Sequence, residues 1–102
     1  MHLSNRQLGI IGEDLAVTYL RDIGFVILDR NFRSHRVEVD IVARDRNTLV
    51  FCEVKTRRTL HHGQPLEAVT PLKIQHLKSA ALAWLGVHPV RTEGIRIDAI
   101  GI

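Results

Sequence analysis

Glu38-Val39-Asp40-Ile41-Val42-Ala43-Arg44-Asp45-Arg46-Asn47-Thr48-Leu49-Val50-Phe51-Cys52-Glu53-Val54-Lys55 is two apolar, β-branched arms separated by a polar run. That pattern predicts a β-hairpin. A two-residue loop at Arg46-Asn47 pairs Asp45 with Thr48, and stepping outward sets Asp40 opposite Glu53 and Glu38 opposite Lys55. A four-residue loop from Asp45 to Thr48 gives the same register. Asn47 tolerates positive φ but lacks a following Gly, which leaves the turn type open. Directly opposed strand residues lie close enough for like charges to destabilise the pair. Two carboxylates placed that way call for a counter-charge, and a divalent cation bound by hard oxygen ligands is the simplest.

Pleat divides the arms into two faces. Val37, Val39, Ile41 and Ala43 share one with Val50, Cys52, Val54 and Thr56. Glu38, Asp40, Val42 and Arg44 share the other with Leu49, Phe51, Glu53 and Lys55. The second face is apolar in its middle and charged at its open end, as expected of a sheet covered on both sides with an opening over the charges.

The remaining chain supplies the covers. Asn5 to Asp22 reads as a helix with Leu8, Leu15, Ala16, Tyr19, Leu20 and Ile23 on one stripe and Gly24 as its stop. Glu13 stands at the stripe's border, and spacing alone favours a solvent-exposed side chain. Phe25-Val26-Ile27-Leu28 is a continuous apolar run that predicts a buried first strand, with Asp29 to Arg36 leading into the hairpin. Thr56 to Pro65 reads as a loop, and its His61-His62 pair lacks partners at ligand spacing. Thr70-Pro71 opens a second helix with Ile74, Leu77, Ala81, Trp84 and Leu85 on its stripe and Gly86 at its end. Trp84 continues that stripe and reads as core. Ile95 to Ile102 is a final strand, expected to run parallel to its neighbour. The prediction is a single α/β domain over 1–102 with an αβββαβ core, a mixed central sheet flanked by helices.

Composition narrows the class. A chain of 102 residues with 45% hydrophobic content can bury a core. No apolar run approaches the length of a membrane span, and Met1 to Arg6 has no signal-like apolar stretch. One cysteine, Cys52, excludes an internal disulfide. The expectation is a cytoplasmic protein with no membrane partner. The chain holds 14 Lys and Arg against 11 Asp and Glu. Arg30, Arg33, Arg36, Arg44, Arg46, Arg57 and Arg58 crowd the hairpin and its flanks. A basic surround of this kind is the footprint of a phosphate-backbone binder, although a solvated basic face has the same composition.

Asp40, twelve residues, then Glu53-Val54-Lys55 is an Asp…Glu-x-Lys pattern whose single spacer keeps Glu53 and Lys55 on one face. Two carboxylates suit Mg²⁺ or Mn²⁺ bound next to a phosphodiester, and an adjacent lysine can orient water and stabilise negative charge. In this layout the chain resembles the PD-(D/E)xK, restriction-endonuclease-like superfamily. More closely it resembles the bacterial YraN-like family, similar in fold to Holliday-junction resolvases. The likeness runs from Gly12-Glu13 through Ile27 to Arg33, Glu38 to Ala43, Leu49 to Arg57, Ala68-Val69-Thr70 with Lys73, and Arg96-Ile97-Asp98. Val39 stands where the superfamily's eponymous proline would be, Val37 where the family usually has Gly, and the family typically continues past the last strand.

The resemblance implies a metal-dependent endonuclease acting on DNA rather than RNA, with branched or structured DNA among the candidate substrates. It implies Asp40, Glu53 and Lys55 as catalytic residues with Glu13 near the metal, and Asp40, Glu53 and Glu13 as ligands. Arg30, Arg33, Arg36, Arg57, Arg58 and Lys73 are the candidate nucleic-acid contacts. Two alternatives are a nucleic-acid-binding or scaffolding protein that keeps the fold without turnover, and a structural role in which Lys55 pairs with Glu38 and neutralises crowded acids. Cutting both strands of a duplex takes two sites, which is the argument for a homodimer.

Overall fold

The computed structural model describes residues 2–56 and 70–102. The elements run α1 (Asn5–Asp22), β1 (Val26–Ser34), β2 (Val37–Asp45), β3 (Thr48–Lys55), α2 (Pro71–Val87) and β4 (Gly94–Gly101), the expected αβββαβ order. The sheet is ordered β1-β2-β3-β4, with β1, β2 and β3 antiparallel and β4 parallel to β3. Among the described residues no helix is long and apolar enough to cross a membrane.

Helix α1 has the predicted bounds. Its N-terminus is fixed by Ser4, whose hydroxyl accepts the Gln7 N–H while the Gln7 side chain accepts the Ser4 N–H, a reciprocal capping box. Gly24, at φ 97°, ends it in the left-handed conformation that glycine adopts without strain. The buried face differs from the expected stripe. Gly12, Ala16, Val17 and Leu20 are buried, whereas Leu15, Tyr19 and Ile23 are about half exposed. The helix meets Ile41, Ala43, Val50 and Cys52, in the middle strands, and its apolar flank overhangs toward β4.

On the other face α2 buries Leu77, Ala80, Ala81 and Trp84 against Val39, Val42, Leu49 and Phe51. Trp84 is core, edge-on to Phe51 at 5.8 Å between ring centroids, and its indole N–H donates to Asp29 Oδ2 at 2.9 Å. Thr70 caps the helix by accepting the Lys73 N–H, with Pro71 following. The helix continues through Gly86 to Val87, and His88 follows as C-cap, its Nδ1 at 2.8 Å from the Trp84 carbonyl oxygen.

Strand β1 is longer and more exposed than the apolar run suggested. It continues through the charged stretch to Ser34 and turns directly into β2 at His35-Arg36, with His35 at φ 57°. It has no fully buried residue, because it is an edge strand, where charged side chains are at home. The β2–β3 register is the predicted one from Asp45↔Thr48 to Ile41↔Cys52. The loop is Arg46-Asn47, and Arg46 rather than Asn47 takes the positive φ, at 57°.

The predicted faces hold only beyond Asp40. Ile41 and Ala43 lie on the α1 side, but Val39 and Val37 pack with Val42 on the α2 side. Alternation therefore slips by one residue at Asp40. In β1 the residue between the pairs Arg30↔Ile41 and Phe32↔Val39 is Asn31, at φ 55°. Phe32 also lies on the α2 side. Both strands are irregular at one level of the sheet, and Asp40 sits there.

Candidate metal and nucleic-acid site

The slip changes what Asp40 faces. The β2–β3 pairs end at Ile41↔Cys52, and Asp40 Oδ2 accepts the Val54 N–H at 2.7 Å. A side-chain carboxylate thus takes an amide that strand pairing would otherwise satisfy. The predicted Asp40–Glu53 opposition becomes a split at the end of the strand pair, with Asp40 bordering a cleft on each side of the sheet.

The cleft on the α1 side, about 280 Å³, is lined by Asn5, Leu8, Gly9, Glu13, Asp40, Val54 and Thr56. Its wall depends on Gly12, because a Cβ there would collide with the Thr56 hydroxyl, which packs against the helix. The cleft on the α2 side, about 200 Å³, is lined by Arg36, Val37, Glu38, Asp40, Glu53, Lys73 and His76. Asp40 is common to both.

Burial pushes the Asp40 carboxyl up to about 7, and the negative charges of Glu53, Glu13 and Glu38 add to the rise; the Val54 N–H opposes it. Glu53 is buried, with 7% of its side chain exposed, and Oε1 lies 3.3 Å from Lys55 Nζ and 3.1 Å from Lys73 Nζ. Two ammonium groups therefore share one carboxylate oxygen. Strand β3 supplies the first through its pleat, and the first turn of α2 supplies the second.

The other predicted residues are distributed around this centre. Glu13 turns inward rather than to solvent, against Arg30 at 3.4 Å, in the α1-side cleft. Arg30 also binds Asp14 at 2.8 Å, which commits its guanidinium to acids. The predicted Glu38–Lys55 pair is replaced: Glu38 takes Arg33 of β1 at 3.3 Å, and Lys55 turns to Glu53. The early end of the strand pairing removes the register that would have joined them. Arg36 and Lys73 line the α2-side cleft, while Arg57, Arg58 and His61-His62 lie outside the described residues. Among the described residues no three His, Cys, Asp or Glu side chains are grouped so that they could hold a metal ion. The structure brings Asp40 and Glu53 together in the α2-side cleft, and Asp40 and Glu13 together in the α1-side cleft.

Sequence reasoning placed Lys73 among the nucleic-acid contacts and missed its contact with Glu53. The signal was its position three residues after the Thr70 cap, at the border of the α2 stripe.

Residues 12–102 match the model of the uncharacterised protein family UPF0102.

The chain belongs to the UPF0102 family.

It is 53% identical over 98 residues to a UPF0102 protein of Geobacter sulfurreducens, covering 96% of this chain and 77% of the relative. To that of Geobacter metallireducens it is 49% identical over 102 residues, covering 100% and 84%. To that of Acidothermus cellulolyticus it is 48% identical over 105 residues, covering 93% and 80%. Membership accords with the YraN-like resemblance of the sequence, and the family's description names no activity.

Proposed function

We propose that this UPF0102 protein is a divalent-metal-dependent nuclease of the PD-(D/E)xK type that hydrolyses phosphodiester bonds in DNA. The observation that carries the reading is Asp40. It is a partly buried carboxyl crowded by three other acids, and it borders both clefts beside a glutamate already held by two lysines.

The donor set fits a hard cation. Asp40 and Glu53 offer carboxylate oxygens to the α2-side cleft, and Glu13 lies with Asp40 in the α1-side cleft. Asp40 and Glu53 are the residues that would hold Mg²⁺ or Mn²⁺, with Glu13 on the other side of Asp40. Held by these carboxylates, such a cation would offset their charge and would supply polarisation of the phosphodiester. Glu53 acts as the anchor, its geometry fixed from two elements by Lys55 and Lys73. Lys55, about a third exposed, supplies positive charge where a phosphate oxyanion develops and can orient the attacking water. Arg36 and Lys73 add positive charge on the α2 side for the nucleic-acid backbone.

A second reading is supported by the pairing of both lysines with Glu53 and by the separation of Glu13 from it: a nucleic-acid-binding protein with the same fold and no turnover. A panel of duplex, single-stranded and branched DNAs incubated with Mg²⁺ and Mn²⁺ separates the two. The nuclease reading expects metal-dependent cleavage that is lost in Asp40→Asn and Lys55→Ala variants of unchanged fold. Salt-sensitive binding of every substrate without cleavage rejects it for the second.

A further inference from the structure

We infer that the cleft between the β2–β3 loop and the α2–β4 link is a second site for the phosphate backbone of a nucleic acid, built on Arg44 and Arg91. The inference rests on the nucleic-acid binding common to both readings of the function, and not on turnover.

The cleft, about 590 Å³, is lined by Arg44, Asn47, Val90, Arg91, Thr92 and Glu93. It stands at the loop end of the sheet. Thr56, Thr70 and Ile102 all stand at the other end. Thr56 lines the α1-side cleft with Asp40, Thr70 caps the turn whose Lys73 reaches Glu53, and Ile102 N–H donates to the Lys55 carbonyl. The eight residues of β3 set the two ends about 23 Å apart.

The walls of the cleft are held by hydrogen bonds. The Asn47 carbonyl accepts the Glu93 N–H at 2.8 Å, and Thr92 Oγ1 accepts the Gly94 N–H at 3.2 Å. Arg44 pairs across the strands with Leu49 of the α2-side core, so its half-buried stem rises on that face of the sheet. Its Nη1 donates to the Arg91 carbonyl at 3.0 Å, which holds the guanidinium against the link.

These charges are not neutralised from within. Arg30 and Arg33 bind acids, and Arg96 takes Asp45 at 3.4 Å and Asp98 at 2.9 Å. Among the described residues neither Arg44 nor Arg91 lies within ion-pair distance of a carboxylate, although Glu93 lines the same cleft. Two guanidinium groups against one exposed carboxylate leave the cleft positive. With one hydrogen committed to a carbonyl, the Arg44 guanidinium keeps further donors in a planar fork, the geometry that takes phosphate oxygens. Asn47 adds a side-chain amide, another group that binds backbone phosphates.

Placement identifies the ligand as a chain of phosphates. Arg44 is four residues beyond Asp40 on β2, about 13 Å at strand rise. The cleft holding Arg36 and Lys73 is at one end of α2, and the Arg44–Arg91 cleft is at the other. A polyanion laid along this face meets positive charge at both ends, whereas a single phosphate meets it at one. A strand of duplex DNA advances 13 Å in about four nucleotides, so a short duplex engages both clefts.

The test follows binding of a short DNA duplex by fluorescence anisotropy and by amide NMR shifts, in EDTA so that metal-dependent cleavage does not intervene. The amides of Asn47, Thr92 and Glu93 are expected to shift together with those near Asp40. Arg44→Gln and Arg91→Gln, each shown folded by circular dichroism, should each lower affinity about threefold or more. Each should also reduce the slope of log Kobs against log salt by about one. Among the described residues the Arg91 side chain makes no hydrogen bond or ion pair, so its variant separates phosphate binding from the tether made by Arg44. Arg46→Gln removes the same charge from the adjoining loop without touching the cleft, and its effect should be clearly smaller. DNA binding with shifts confined to the Asp40 end overturns the second site and leaves the nucleic-acid reading standing. An Arg46→Gln loss equal to that of Arg91→Gln does the same, because net charge then explains both. Shifts at the cleft with inorganic phosphate and none with DNA overturn the nucleic-acid placement. Wild type that binds no DNA overturns this inference and the nucleic-acid reading together.

Discussion

Asp40 Oδ2 accepts the backbone N–H of Val54 at 2.7 Å, at the level where the pairing of β2 with β3 stops. This one bond opens the end of the hairpin, holds a partly buried carboxylate between two clefts, and orients the strand that carries Glu53 and Lys55.

The pH dependence of stability follows from Asp40. Its pKa rises from 3.8 to about 7 on folding, so the folded state binds the proton more tightly than the unfolded state. The resulting stability is fully present below pH 3.8 and is lost as pH rises through about 7. Asp40→Asn retains an oxygen acceptor for Val54 N–H and removes the charge. It should therefore be more stable than wild type at pH 8, by on the order of 1–2 kcal/mol after allowance for solvent screening, and nearly equal to it at pH 4. Urea titrations at the two pH values measure the difference, and an equal effect at both would remove Asp40 as its source.

Glu53 depends on two lysines from different elements. Lys73→Ala leaves one ammonium at a buried carboxylate and should cost roughly 1–3 kcal/mol at pH 8. In a Glu53→Gln background the same substitution should cost far less. A double-mutant cycle on unfolding free energies gives the coupling, and a value near zero would show that Lys73 does not hold Glu53.

Gly12 is required by close approach rather than by backbone conformation. Gly12→Ala drives a methyl into the Thr56 hydroxyl and should destabilise the protein by roughly 1–3 kcal/mol despite alanine's better helix propensity. Adding Thr56→Ala should recover part of the loss, and thermal melts of the single and double variants check it.

Trp84 joins the core to the edge strand. Trp84→Phe keeps an aromatic ring against Phe51 but removes the N–H bound to Asp29, for an expected loss of about 1–3 kcal/mol, including some lost packing. With Asp29→Asn already in place the polar part of that loss should shrink, as the acceptor is then no longer charged.

The helices and the hairpin register were legible in the sequence because they rest on local chemistry. Thr70-Pro71 and Gly24 mark helix ends, and the polar Arg46-Asn47 pair sets the strands in step. The length of β1 was hidden by its position, since an edge strand need not be apolar and Asp29 to Ser34 is mostly polar. The half-exposed Leu15, Tyr19 and Ile23 were hidden for the complementary reason: periodicity marks an apolar stripe but not how much of it the sheet reaches. At the site, the residue types of Asp40, Glu53 and Lys55 were legible but their pairing was not. The slip at Asp40 comes from a side chain capturing a distant amide and from Asn31 at positive φ, and strict alternation excludes both. The Lys73–Glu53 contact joins α2 to β3 across the chain, and its one local trace is the place of Lys73 just after the Thr70 cap.

Calorimetric titration of Mn²⁺ into wild type and Asp40→Asn, at pH 6 and pH 8, tests the central claim most directly. Since a ligating carboxylate must lose its proton, wild-type affinity should rise roughly tenfold over that interval, and proton release should be seen at pH 6. Asp40→Asn should lose most of the affinity and the pH dependence. Binding that is absent from wild type, or that survives unchanged in Asp40→Asn, would contradict a metal site at Asp40 and Glu53.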